Sequence, residues 1–353
     1  MAVKKIALIP GDGIGKEVIP EGVKVVKAAM EKEGVNLEFV NFDFGADRYL
    51  RDGHVLDDAD IAELKKYDAI YLGAVGDPRT PAGVLEKGIL LKLRFDLDQY
   101  INLRPIKLFD EKYCPLKSKT KEDIDFLVIR ENTEDLYCGA GGFLRKGTQQ
   151  EIATQEMIAT RFGAERAIRY AFEAARKRNG KKKVALCDKS NVLTFAHNLW
   201  LRAFKEIGEE YPDIEKQHFY VDAICMKFVR NPEIFDVIVT PNMFGDIITD
   251  LGAEIQGGMG TAVSGNLNPE GVSMFEPVHG SAPDIAGQGI ANPIATILAG
   301  AQMLNTLGYA EAGKRMEAAV IKAMETKQTT GDMGGTLSTS QAGDVIADIV
   351  RGL

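Results

Sequence analysis

The chain of 353 residues carries only four cysteines, four histidines and one tryptophan. Cys114, Cys138, Cys187 and Cys225 form no C-x-x-C pair and no metal-ligand spacing. A disulfide framework and a zinc cluster are therefore excluded, and the cysteines read as reduced thiols of a cytoplasmic protein. No apolar run reaches membrane length. The most apolar twenty-residue window, "GIANPIATILAGAQMLNTLG", contains two Asn, a Gln and a Pro and reads as a buried helix. The N-terminus runs straight into strand-like "KKIALI", so neither a signal nor a transit segment is expected. Positive charge is also short: 43 Lys and Arg against 51 Asp and Glu leave a formal charge of −8. An acidic surface repels nucleic-acid backbones and anionic membranes, and neither is expected as a partner. A small anionic ligand would need a local basic pocket instead.

The composition is that of a soluble protein with a large core, at 45% hydrophobic and 27% charged residues, and the length suggests two domains. Short apolar stretches ("KKIALI", "LEFVNFDF", "YDAIYLGA", "DIDFLVIR", "KKVALC", "HFYVDA", "FDVIVT") alternate with helical sequence. That pattern predicts an α/β fold on a parallel or mostly parallel sheet covered on both faces. A helix is expected over 155–178, burying Ile158, Phe162, Ile168 and Phe172. Residues 137–155, "YCGAGGFLRKGTQQEIATQ", break the alternation and read as a β-hairpin. A two-stranded ribbon is marginal alone, so it is expected to pair with something, plausibly another subunit.

"IALIPGDGIGKEV" has the form of a phosphate-binding strand–helix turn. Its glycines fall at 11, 13 and 15, however, and no glycine stands where G-x-G-x-x-G requires the third. The stretch fails as a dinucleotide fingerprint and holds as a tight turn bordering a ligand cleft.

In "TPNMFGDIITDLGAEIQGG", Asn242 can cap a helix that Gly257 and Gly258 stop. Asp246 and Asp250 then share one face, at a cost of roughly 0.2–0.5 kcal/mol. Ile247, Ile248 and Leu251 are expected toward the core. A hard divalent cation would turn that repulsion into attraction, while a solvated acidic face is the plainer explanation. Arg94 on a helix, and Arg104 and Arg130 near strand ends, offer guanidinium groups suited to a dicarboxylate.

The stretches "IPGDGIGKEV", "NLRP", "VIRENTEDLY", "DKSNVL", "VDA", "NMFGDIITDLG" and "FEPVHGSAPDIAGQGIANP" follow one another over nearly the whole chain. Together they resemble the isocitrate/isopropylmalate dehydrogenase family of metal-dependent β-decarboxylating dehydrogenases. The resemblance implies a non-Rossmann, two-domain α/β fold of isopropylmalate-dehydrogenase type with a shared, mostly parallel mixed sheet. Residues 1–101 and 257–353 would form a discontinuous cofactor-binding domain. Residues 102–256 would form the substrate and dimerisation domain, with a protruding hairpin arm at about 137–155. It further implies that Arg94, Arg104 and Arg130 grip the malate carboxylates. Asp246 and Asp250 would bind Mg²⁺ or Mn²⁺ with Asp222 of a partner subunit, in a homodimer with shared active sites. Tyr137 and the partner subunit's Lys189 would be the acid–base pair. NAD would lie along Glu276, His279, Gly280, Ser281, Ala282, Asp284, Ile285 and Asn292, bordered by Ile14. Asp284 is suited to ribose hydroxyls and would repel a 2′-phosphate, which selects NAD over NADP.

The group on C3 of the substrate would be read by "VLEKGILLKLR", with Leu90 and Leu91 one helical turn before Arg94. Val192, following Asn191, would close the pocket from the partner subunit. Apolar side chains suit an isopropyl group, at roughly 0.8 kcal/mol per buried methylene-sized unit, and disfavour the third carboxylate of isocitrate. The expectation is oxidative decarboxylation of 3-isopropylmalate, in leucine biosynthesis, with tartrate or D-malate as the alternative. A non-catalytic subunit is disfavoured because Tyr137, Lys189, Asp222, Asp246 and Asp250 are all present. One departure stands out: in many isopropylmalate enzymes the acidic residue of this helix lies one position nearer the leucines than Glu86 does.

Overall fold

The computed structural model describes residues 3–353. The strands run in chain order β1 (Lys4–Gly11), β2 (Leu37–Asn41), β3 (Ala69–Ala74), β4 (Ile101–Lys107), β5 (Asp125–Glu131) and β6 (Gly141–Leu144). They continue with β7 (Ile152–Gln155), β8 (Lys183–Asp188), β9 (Glu215–Tyr220), β10 (Val237–Thr240), β11 (Val263–Leu267) and β12 (Ser273–Pro277). The chain divides into two compact units.

The first unit comprises the chain up to Gln99, Leu108–Pro115 and Gln256–Leu353. Its strand order is β2-β1-β3-β12-β11, parallel except for the β11–β12 pair. All of "AIYLGA" in β3 is buried, as a strand with helices on both faces must be. The apolar window found in the sequence forms the helix Ile294–Thr306, where Tyr71 of β3 donates its hydroxyl to the Thr296 carbonyl. Leu108–Pro115 joins this unit through Lys112, whose ammonium donates to the Met324 carbonyl, and Tyr113, whose hydroxyl donates to that of Met333, both at 2.8 Å.

The second unit comprises Tyr100–Lys107 and Leu116–Ile255, with strand order β4-β5-β10-β8-β9. Here β4 and β5 are antiparallel and the remaining neighbours parallel. Phe126, Phe228 and Phe235 pack as a ring cluster with centroids 5.0–5.7 Å apart. The helix expected over 155–178 is shorter, Arg161–Arg178, and its buried stripe is Gly163, Ala164, Ala167, Ile168, Ala171, Phe172 and Ala175. Ile158 and Phe162 are exposed instead: Ile158 precedes the helix in a bridge to Asp135, and Phe162 lies under the Arg166 guanidinium. The expected hairpin is present as antiparallel β6–β7, and Phe143, Leu144 and Ile152 on it are exposed.

No helix among the described residues is long and apolar enough to cross a membrane.

Candidate active site

In the second unit, Arg130 is the penultimate residue of β5, and the following turn brings Tyr137 back over it. Arg130 is buried; its Nε donates to the carbonyl and the Oδ1 of Asn242, both at 2.9 Å, and its Nη1 to Asp246 Oδ1 at 2.5 Å. Its Nη2 is buried without a partner among the described residues. The Tyr137 hydroxyl donates to Asp246 Oδ2 at 2.8 Å, and the Arg130 guanidinium lies 5.1 Å from the Tyr137 ring centre. Arg104 of β4 is held by Asn102 Oδ1 (2.8 Å) and Thr249 Oγ1 (3.1 Å). It stands 3.9 Å from Asp246 and 3.8 Å from Asp250.

The helix Asn242–Ile255 brings these groups together with small residues. A Cβ on Gly245 would sit 2.4 Å from the Arg130 side chain, so the arginine passes where only glycine leaves room. The helix start differs from the expected cap. Asn242 is buried and its Oδ1 accepts from Arg130, while the Met243 amide donates to Asp135 Oδ2 at 2.8 Å. Ile247 is half exposed rather than facing the core, because the buried face is Gly245, Ile248, Thr249 and Gly252.

The two aspartates are not left to repel each other, since Arg104 and Arg130 offset their charge. Asp250 is nonetheless pushed up, first by partial desolvation of a side chain that stays 58% exposed and also by Asp246, with Arg104 and Arg130 opposing. The exposed Asp250 carboxylate, one turn from Asp246, offers hard oxygen ligands of the type Mg²⁺ and Mn²⁺ take. A third ligand is not close: among the described residues no three His, Cys, Asp or Glu gather to hold a metal.

Asp222 lies elsewhere in this unit. It opens the helix after β9 and meets Lys189, which leaves β8, at 2.6 Å. That hydrogen bond is the main reason the Asp222 carboxyl lies below its usual range. Behind the pair, Asp188 is fully buried and its Oδ1 accepts from His218 Nε2 (2.8 Å) and the Ser190 amide (3.1 Å). Asn191 and Val192 follow in an exposed turn in which the Val192 and Leu193 amides donate to the Lys189 carbonyl.

In the first unit, Arg94 is buried, with Nη2 3.4 Å from Glu276 Oε1, which also accepts from Asn266 Nδ2 at 2.7 Å. The segment before Arg94 is not plain α-helix: Glu86–Leu91 is a π-turn leading into the helix Lys92–Asp96. A π-turn takes one residue more than an α-turn. The wider turn changes which side chains of this segment share a face from what a regular helix would give. Leu91 is partly buried and Leu90 packs against the core cluster containing Ile89 and Leu93.

Residues 279–292 wrap the turn after β1. The Ile14 amide donates to the Ser281 carbonyl (2.9 Å), and Ala282, Ile285 and Ala286 pack on Ile14, Val18 and Ala291. Glu17 accepts from the Gly287 (2.5 Å) and Gly289 (2.9 Å) amides. His279 has its Nε2 buried without a partner among the described residues, and burial keeps the ring neutral by pushing its pKa down. Gly280 and Asp284 are exposed, and Asn292 Nδ2 donates to Asp332 at 2.9 Å. A cleft of about 410 Å³ opens beside the loop, lined by Gly76, Asp77, Thr80, Glu86, Ser281 and Pro283. An exposed carboxylate, an unsatisfied buried imidazole and an open cleft are groups that a ribose- and amide-bearing cofactor can use.

Asp12 in "PGDGIG" escaped notice in the sequence. Its buried carboxylate accepts from the Ala46 (2.7 Å) and Gly76 (3.0 Å) amides and so ties three loops at the strand ends. An aspartate between two turn glycines was the available signal. Asp135, Glu17 and Asp188 were missed too, because their partners lie far away in sequence or in backbone amides.

The mixed α/β fold, with an Arg–Asp–Tyr cluster suited to a small acid on one unit and a glycine-turn cleft on the other, is that of the isocitrate/isopropylmalate-type dehydrogenases. The family model for isocitrate/isopropylmalate dehydrogenases matches residues 5–346, and the chain belongs to that family. It is 53% identical to the 3-isopropylmalate dehydrogenase of Thermobifida fusca, over 98% of this chain and 97% of that protein. It is 51% identical to the enzyme of the same name from Streptomyces coelicolor, over 98% of each chain. Among solved structures it is similar to isocitrate dehydrogenase from Methylococcus capsulatus, with TM-score 0.90, 38% identity, and coverage of 99% and 100% of the two chains. A β-decarboxylating dehydrogenase from Thermococcus kodakarensis gives TM-score 0.81 at 36% identity, covering 99% and 97%.

Proposed function

We propose that the chain catalyses NAD-dependent oxidative decarboxylation of 3-isopropylmalate to 4-methyl-2-oxopentanoate and CO₂, as a cytoplasmic enzyme of leucine biosynthesis. The observation that carries this is the intact cluster of Arg104, Arg130, Tyr137 and Asp246 in a chain about half identical, end to end, to proteins of that name. A divalent cation held by Asp246, Asp250 and the partner subunit's Asp222 would supply Lewis acidity, and bound NAD would supply the hydride acceptor.

The chain's own residues do the rest. Arg94, Arg104 and Arg130 bind the two carboxylates; the unpartnered Nη2 of Arg130 is a donor of the kind a carboxylate satisfies. The partner subunit's Lys189 removes the hydroxyl proton, and Tyr137 returns a proton to the carbon that loses CO₂. Leu90, Leu91 and the partner subunit's Val192 receive the isopropyl group. Glu276, His279, Gly280, Ser281, Ala282, Asp284, Ile285, Asn292 and Ile14 hold NAD, with the exposed Asp284 carboxylate taking the ribose hydroxyls and excluding a 2′-phosphate.

The working unit in this reading is a homodimer. The exposed apolar side chains of the arm, and Met226, Val229 and Ile247 on two contacting helices, are surfaces that a second copy would cover.

NADH formation with Mn²⁺ is the test, assayed with isopropylmalate, D-malate, tartrate and isocitrate in parallel. Isopropylmalate is expected to give the highest kcat/KM, and NAD to be preferred over NADP. Higher kcat/KM on D-malate or tartrate, or none on any substrate, would overturn the reading.

A further inference from the structure

His197, in the first turn of the helix Ala196–Gly208, is 1% exposed and belongs to none of the groups assigned above. Its Nδ1 accepts the backbone N–H of Lys189 at 2.9 Å. An amide can only donate, so Nδ1 bears the lone pair and the neutral ring carries its proton on Nε2. Burial favours that neutral form by pushing the pKa down, against the smaller opposing pull of Asp188 and Asp135.

The other edges of the ring face two further catalytic segments. Nε2 is buried without a partner among the described residues. His197 lines a cavity of about 10 Å³, room for one water, together with Glu134 and Asp135 of the turn that leads to Tyr137. The ring also meets Phe244 edge-on at 5.2 Å, and Phe244 lies on the helix that carries Asp246 and Asp250. One imidazole thus borders the Lys189 turn, the Tyr137 turn and the aspartate helix.

We propose that His197 is a positioning residue for Lys189, holding the backbone of the lysine turn in register with the Tyr137 turn and the aspartate helix. This rests on the reading of Lys189 as the base. The side chain touches neither substrate nor cofactor in this role. It acts by fixing where the lysine's main chain leaves β8, and small misplacements of a reacting group are costly in rate.

The test compares His197→Phe, which keeps the ring and its packing on Phe244 but loses the acceptor, with His197→Asn, whose Oδ1 can take the same N–H. For His197→Phe we expect a melting temperature within a few degrees of wild type and KM values for substrate and NAD within about twofold. Its kcat is expected to fall about tenfold, with faster hydrogen exchange in the peptide containing the Lys189 amide. His197→Asn is expected to recover kcat to within about threefold of wild type. Unchanged kcat and exchange in His197→Phe would overturn the proposal, and so would a His197→Asn protein as slow as His197→Phe. If His197→Phe does not fold, exchange in the wild type decides: a Lys189 amide exchanging like an open turn overturns it, and a protected one supports it. Wild-type protein inactive on every malate-type substrate would sink the function while leaving the exchange measurement to judge the hydrogen bond.

Discussion

Lys189 and Asp222 form an ion pair of 2.6 Å at the exits of two neighbouring parallel strands, where Asp188 of β8 stands opposite Tyr220 of β9. The pair is presented outward, with the Asp222 side chain 67% exposed, and it is separate from the Tyr137–Asp246 contact. If Lys189 is the base and Asp222 a metal ligand, as proposed above, the outward-facing Asp222 makes chemical sense when the pair completes a neighbour's site.

A mixed dimer tests that sharing. A subunit carrying Lys189→Ala paired with one carrying Asp246→Ala contains one site with both residues intact and one with neither. The purified heterodimer is expected to show about half of wild-type kcat per dimer, whereas each mutant homodimer loses on the order of 10²-fold or more. Differently tagged, co-expressed chains separated on two affinity columns give the sample. A heterodimer no faster than the homodimers would show that each subunit uses its own lysine.

Glu131, next to Arg130, links stability to pH. Burial raises its pKa to about 7, although the Thr133 and Glu134 amides and the Thr133 hydroxyl donate to it and pull the other way. The folded state therefore keeps a proton that the unfolded chain releases in the ordinary glutamate range. The stabilisation is complete below about pH 4.5 and is lost as pH rises through about 7, a span worth about 3 kcal/mol. Glu131→Gln cannot titrate and places an amide nitrogen against a backbone N–H, a penalty that does not change with pH. The stability difference between wild type and Glu131→Gln is thus expected to shrink from pH 4.5 to 7 in denaturant unfolding. A difference independent of pH would mean that Glu131 is ionised throughout.

Much of this arrangement was legible in the sequence, and the exceptions have common causes. Alternating strands and helices, the hairpin and the buried Ile294–Thr306 helix follow from hydrophobic period and turn residues. Asp246 and Asp250 were found because their spacing alone places them on one helical face. Their local charge balance was not visible, because Arg104 and Arg130 reach them from strands more than a hundred residues away. The π-turn at Glu86–Leu91 was hidden for a different reason: an extra residue in a helix alters no residue type and only shifts a spacing. Asp12, Glu17 and Asp135 work by accepting backbone amides, and any sequence supplies those.

Asp135 holds a strained backbone whose cost can be separated from its benefit. Its φ of 70° and ψ of −147° suit glycine, yet its carboxylate accepts from the Leu136 (2.9 Å) and Met243 (2.8 Å) amides. Strain of this kind costs about 1–3 kcal/mol, and losing a helix-capping carboxylate costs about 0.5–2 kcal/mol. Asp135→Gly sheds the strain together with the cap, so its stability is expected within about 1 kcal/mol of wild type. Asp135→Ala loses the cap and keeps the strain, and is expected to be about 1–3 kcal/mol less stable than Asp135→Gly. Equal stability of the two variants in chemical denaturation would mean that the turn relaxes and that no strain is stored there.

Gly13 gives the first turn its role without a phosphate-binding fingerprint. Its φ is +51°, and a Cβ there would lie 2.0 Å from the Ser281 carbonyl oxygen, the same oxygen that accepts the Ile14 amide at 2.9 Å. Gly13→Ala must therefore move the loop that carries Ser281, Ala282 and Asp284, and the left-handed backbone adds strain of its own. If this loop holds NAD, the variant is expected to bind NAD at least about tenfold more weakly, a loss of about 1.4 kcal/mol or more. Mn²⁺ affinity should stay near wild type, because Asp246 and Asp250 belong to the other compact unit. Isothermal titration of each ligand separates the two effects. Unchanged NAD affinity in a folded Gly13→Ala protein would place the cofactor away from this loop, whereas equal weakening of both ligands would point to general misfolding.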